Sequence, residues 1–123
     1  MKDQEIIELI ATKVMGWERE EPVTFMHKDD ARFLWRGIDG NATWSDRFNP
    51  LDDDKTCMMA WDKFTQEHYY GRIDCVESVC YVYAYDKKGI EKYIAMATTP
   101  YTDRRRAMCE CMAKVAGKEE GDV

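Results

Sequence analysis

Between Asp3 and Gly16 the apolar residues Ile6, Ile7, Ile10, Val14 and Met15 recur at helical spacing, with Glu5, Glu8 and Lys13 on polar positions. Asp3 is placed as the N-cap of this helix and Gly16 as its stop. Residues 17–30 are charged and include Pro22, so they read as a loop, with a short extended piece at Val23-Thr24-Phe25. Ala31 to Arg36 and Asn41 to Trp44 flank an Asp39-Gly40 turn signal and predict a hairpin. Asp52 is placed as the cap of a second helix, with Asp53 and Asp54 in its first turn, where the helix dipole favours carboxylates. Cys57, Trp61 and Phe64 form its apolar stripe, flanked by Met58 and Ala60, and the helix should reach about Gln66.

From Tyr69 the period changes to two. Tyr69 to Cys75 and Val79 to Tyr85, separated by Glu77-Ser78, predict two antiparallel strands. Lys92 to Ala97 predicts a third, ended by Pro100. In the middle strand Cys80, Val82 and Ala84 point one way and Val79, Tyr81, Tyr83 and Tyr85 the other. Neither set is charged, and a strand apolar on both faces needs cover on both. A last helix from Asp103 to Ala116 buries Met108, Cys111, Met112 and Val115, with Thr102 as N-cap and Gly117 as its end. The expected fold is α+β: a three-layer α-β-α sandwich, its mainly antiparallel sheet covered by helices on both faces. Residues 1–117 form one domain and 118–123 a short charged tail. Leu34, Val82 and Ile94 are placed inside.

Composition narrows the functions. Hydrophobic residues are 45% and aromatics 12%, enough for a real core. A net charge of −6 argues against general nucleic-acid binding, which needs a basic face. It leaves open a basic surface on another protein, or a small ligand in a local basic pocket. No apolar run approaches the ~20 residues of a membrane span. The acidic start, Met1-Lys2-Asp3-Gln4-Glu5, is unlike a secretory signal, so a cytoplasmic location is expected. Five cysteines without framework spacing read as free thiols in a reducing compartment.

The string Ile7 to Trp17, ending Lys13-Val14-Met15-Gly16-Trp17, resembles the opening of the phage ABA-sandwich domain family. Phe48-Asn49-Pro50-Leu51-Asp52, with Ala60-Trp61 and Phe64, resembles that family's approach to its second helix. Ala97-Thr98-Thr99-Pro100 resembles its strand-to-helix junction, whereas Arg104-Arg105-Arg106 departs from the small residues expected there. The resemblance implies a phage or prophage origin and the α-β-α architecture. It implies no chemistry.

The candidate ligand site is the turn running from Thr98 to Arg106. Thr98, Thr99, Thr102, Arg104, Arg105 and Arg106 put hydroxyls and guanidinium groups at a helix N-terminus, where backbone N–H groups favour anions. The competing reading is a capped helix with a solvated basic first turn, and Asp103 competes for the same positive field. A second candidate is an interaction surface on the hairpin: Trp35 and Trp44 beside Arg32, Arg36 and Arg47, against core packing for the two indoles. Asp52-Asp53-Asp54 fits no calcium loop and is explained by capping. No C-x-x-C pair supports zinc, and Cys75 and Cys80 flank a turn where they could pair. His27 and His68 accompany no nucleophile motif.

No catalytic residue, metal or cofactor is therefore expected. The expected function is a non-enzymatic binding module of a phage or prophage, acting in the cytoplasm of the infected or lysogenic bacterial host. As a counter-defence protein it would capture a small phosphorylated or nucleotide signal, or inhibit a host defence protein. The alternatives are an assembly-related protein acting through homo-oligomerisation and a small metal-dependent nucleotide hydrolase.

Overall fold

The first helix keeps the predicted face but changes pitch. In the computed structural model, which describes residues 2–20, 33–37, 40–67, 69–87 and 93–121, helix α1 (Asp3–Leu9) continues into a π-helical stretch, Ile10–Val14. There the Met15 N–H donates to the Ile10 carbonyl at 2.9 Å and the Trp17 N–H to the Ala11 carbonyl at 3.0 Å. The wider turn carries Ile10 and Ala11 into the core beside Ile6. Gly16 takes a φ of 72° and ends the helix as expected, in backbone that a side chain would strain. Asp3 is not the cap. Lys2 precedes the helix without a side-chain cap bond, and Asp3 is the first helical residue.

A first antiparallel sheet orders β1 (Glu18–Glu20), β2 (Leu34–Arg36) and β3 (Ala42–Trp44). The β2–β3 hairpin is the predicted one, its loop passing through Gly40 at a φ of 86°. Strand β1 corrects the loop expected over residues 17–30. Three charged residues show no apolar alternation, yet Glu18, Arg19 and Glu20 register against Arg36, Trp35 and Leu34. The Arg36 guanidinium fastens the pairing through both Glu20 carboxylate oxygens, at 2.8 and 3.2 Å. Leu34 is half-buried. Val23-Thr24-Phe25 lies outside the described residues, as do Arg32, His27 and His68.

Helix α2 (Asp54–Glu67) is capped one residue later than expected. Asp53 Oδ2 accepts the Thr56 N–H at 2.9 Å and also the Thr56 hydroxyl. Those two bonds hold the Asp53 carboxyl below the usual range. Asp52 is engaged elsewhere: Asn49 Nδ2 donates to it at 3.1 Å, while Asn49 Oδ1 accepts the Leu51 N–H. The predicted stripe of Cys57, Trp61 and Phe64 is buried; of the two flanking residues Ala60 is buried with it and Met58 is exposed.

The second sheet orders β4 (Tyr69–Val76), β5 (Val79–Asp86) and β6 (Tyr93–Pro100), all antiparallel. Glu77 turns the β4–β5 hairpin at a φ of 57°. On the inner face Cys80, Val82, Ala84, Ala95 and Ala97 are buried, and these small side chains let a helix approach closely. That helix is α3 (Arg104–Gly121), which packs on β5 and β6, with α1, the π stretch and α2 against it as well. Cover on two sides buries more of α3 than the predicted stripe: Ala107, Cys109, Ala113 and Ala116 join Met108, Cys111, Met112 and Val115.

Gly117 does not stop α3, which continues to Gly121, so the expected tail begins as helix. An added Cβ at Gly117 meets nothing within 4 Å. Gly117→Ala should therefore stabilise the protein by about 0.5–1 kcal/mol, through helix propensity alone. Chemical denaturation measures it, and a lower midpoint would contradict this placement.

The architecture is α+β, with two small three-stranded antiparallel sheets where one was expected. Helices cover the β4–β6 sheet on the face of Cys80, Val82 and Ala84. The layer expected over its second face is not seen among the described residues.

Candidate functional site

The Thr98–Arg106 turn folds as a junction whose polar groups turn to different neighbours. Pro100 ends β6, Tyr101–Asp103 form a short 3₁₀ turn, and α3 starts at Arg104, so Thr102 is not its N-cap. Thr98 and Thr99 fall on opposite faces of β6, Thr98 exposed and Thr99 buried with its hydroxyl donating to the Asp103 carbonyl at 3.0 Å. Thr102 is exposed. Arg105 reaches the start of α2, donating to the Leu51 carbonyl at 3.2 Å and to Asp54 Oδ1 at 2.7 Å. Arg106 pairs with Asp3 of α1 at 2.8 Å and with Glu110 one turn along at 2.9 Å. Arg104 is exposed and also engaged. These guanidinium groups tie three helix starts together, and cations at a helix N-terminus find here the carboxylates that offset the opposing dipole.

The hairpin residues separate as well. Trp35 is 2% exposed and meets Phe33 edge-on at 4.8 Å, so it belongs to the core and not to a surface. The Arg19 guanidinium lies over the Phe33 ring, 3.9 Å from its centroid. Trp44 is half-buried, Arg47 is exposed, and Arg36 is held by Glu20 and the Gly40 carbonyl at 2.7 Å.

Four of the five cysteines, Cys57, Cys80, Cys109 and Cys111, are buried packing groups, and Cys75 is exposed. Cys75 and Cys80 stand directly opposite across β4 and β5, their sulfurs 3.5 Å apart. Burial, with Cys75 alongside, pushes the Cys80 thiol up to about 11. Burial alone pushes Cys111 up to about 12, and its thiol donates to the Ala95 carbonyl. Between α2 and α3 the hydrogen bond shared by Cys57 and Cys109 raises Cys109 and lowers Cys57. Among the described residues no group of His, Cys, Asp and Glu is placed to hold a metal ion, and no helix is long and apolar enough to cross a membrane.

What the chain does present is a wide aromatic surface. The register of the second sheet sets Tyr70 opposite Tyr85, Arg72 opposite Tyr83, Asp74 opposite Tyr81 and Val76 opposite Val79. Met96 continues the row from β6, against Tyr83. Tyr70 and Val76 are 47% and 58% exposed, while Tyr81, Tyr83, Tyr85 and Met96 are half-buried. The Tyr83 and Tyr85 ring centroids lie 6.3 Å apart, the rings inclined by 28°. Arg72 approaches Tyr83 at 6.0 Å, and Lys87 approaches Tyr70 at 5.4 Å. The alternation of Tyr81, Tyr83 and Tyr85 is plain in the sequence. The signal that this face is wet lies in the opposite strand, where Arg72 and Asp74 occupy the same side.

A shallow recess of about 350 Å³ lies between the end of the π stretch and α2, lined by Met15, Met59, Asp62, Lys63 and Gln66. No protein-family model, curated protein or solved structure matches the chain.

Proposed function

We propose that this chain is a non-enzymatic protein-binding module of phage or prophage origin, and that its contact surface is the outer face of the β4–β6 sheet. The observation that carries the reading is strand β5. Its residues are uncharged on both faces from Val79 to Tyr85, helices cover one face, and tyrosines half-exposed to water make up the other. A partner laid on that face supplies the cover not seen among the described residues and completes an α-β-α arrangement in trans. Tyrosine suits such a surface because it offers a broad apolar ring, a polar tip and few rotamers to order. The phage origin rests on the resemblance carried by Lys13 to Trp17 and Phe48 to Asp52. Two residues of those segments meet, with the Trp17 and Phe48 rings edge-on at 4.8 Å. A partner protein is favoured over a phosphorylated small molecule because Arg105 and Arg106 are engaged within the chain. The net charge of −6 favours a partner with a basic rim, such as a host defence protein.

The test compares Tyr81→Ala/Tyr83→Ala with Arg104→Ala in capture from bacterial host lysate. The expected result is a partner held by the wild type and by Arg104→Ala, and lost with the tyrosine variant. Equal capture by all three would remove the face from consideration. Loss with Arg104→Ala alone, or a nucleotide retained in native mass spectrometry, would return the weight to the basic turn.

A further inference from the structure

Strand β4 lies at the edge of its sheet, and three of the large apolar residues most exposed among those described belong to it: Tyr70, Ile73 and Val76, at 47%, 41% and 58%. Open edges are templates for another strand, and soluble proteins usually blunt them. The two-residue turn at Glu77-Ser78 closes on the Val76–Val79 pair. In an antiparallel ladder hydrogen-bonded and non-hydrogen-bonded pairs alternate from such a closing pair. The backbone groups of Gly71, Ile73 and Cys75 therefore point away from β5, along an edge that carries no further strand among the described residues.

We propose that β4 is a self-association edge, with two copies pairing antiparallel along it about a two-fold axis at Ile73. In this register Ile73 meets its own copy through outward-pointing N–H and C=O groups, and Gly71 pairs with Cys75 of the other copy. Arg72 then stands opposite Asp74 of the other copy, twice by symmetry, and Tyr70 stands opposite Val76. All three exposed apolar residues gain a neighbour. The charges also select the register. Centring the pair on Arg72 sets arginine against arginine, and centring it on Asp74 sets aspartate against aspartate, both destabilising. Within one copy Arg72 and Asp74 already pair at 2.9 Å, so they stand ready on the same face. The result is one continuous sheet, each copy contributing three strands. The proposal goes beyond the partner-binding reading and does not depend on it. Pairing at the edge leaves Tyr81, Tyr83 and Tyr85 uncovered and sets the two tyrosine faces side by side.

Sedimentation equilibrium of the full chain over a concentration series is the test. The wild type should dimerise, and Arg72→Asp and Asp74→Arg should each weaken the dimer about tenfold or more. Mixing the two variants should restore association, because each then meets opposite charge at both positions. The double variant Arg72→Asp/Asp74→Arg should restore it too. Circular dichroism checks that each variant is folded. Hydrogen exchange on the wild type gives a readout free of substitutions, with Ile73 amide protection rising with protein concentration. A wild type that stays monomeric, a dimer indifferent to both single variants, or Ile73 protection independent of concentration would each overturn the proposal.

Discussion

Gly71→Ala is expected to remove about 3 kcal/mol of stability, the upper end of what overpacking a core usually costs. A Cβ at Gly71 would lie 2.1 Å from Trp61 Cζ2, 2.8 Å from Cη2 and 2.9 Å from Thr65 Cγ2. These neighbours have little room to yield. Trp61 is 7% exposed and packs on Phe64 at 5.6 Å, and Thr65 is tied by its hydroxyl to the Trp61 carbonyl at 2.9 Å. The alternative is for β4 to lift from α2, which would uncover Trp61 and Phe64 together. Thermal denaturation should show a fall of roughly 10 °C or more. A midpoint within about 2 °C of the wild type would mean that Trp61 does not lie over Gly71.

Phe48→Ala should cost about 3–5 kcal/mol, the range for emptying a buried aromatic site. Phe48 is 1% exposed, and its ring is the surface against which Trp17 sits. Truncation leaves a cavity between the turn after the π stretch and the approach to α2, two segments far apart in sequence. Phe48→Leu keeps most of the volume and should lose less than half as much. Urea denaturation of the two variants measures the difference. A loss below about 1 kcal/mol in Phe48→Ala would show that the two segments are held by something else.

The elements that the apolar pattern foretells are the longer ones. The stripe of α2, the β4–β5 hairpin and the β6 strand form, and the predicted line of α3 is buried within a helix covered on two sides. Strand β1 carries none, because Glu18, Arg19 and Glu20 are held by register and by the Arg36 fork rather than by an apolar face. The π stretch is equally silent, since Ile6, Ile10 and Val14 satisfy an ordinary helix. Trp35 shows a different ambiguity: a tryptophan beside arginines reads alike as an anchor for a partner and as core, and only tertiary packing decides. The basic turn was legible as residues but not as a site. The partners that engage Arg105 and Arg106, Asp54 and Asp3, sit on other helices. Tyrosine is ambiguous in another way. It scores as apolar in a pattern yet tolerates water, so the pattern predicts a cover on the second face of β5 that is not seen among the described residues.

The place of α3 has a consequence for how the chain is made. The inner face of β4–β6 and the buried side of α1 both rest on this last described helix. During synthesis the hairpin can zip locally as it emerges, whereas α1 precedes its main docking partner, α3, by most of the described chain. Until α3 follows, Val82, Ala84, Ala95 and Ala97 lack the helix that covers them, and the α1 face around Ile6 lacks its main partner. Closure of the core is therefore a late step joining the two ends of the described chain, and the nascent protein carries an apolar slab that must be kept from other chains until that step.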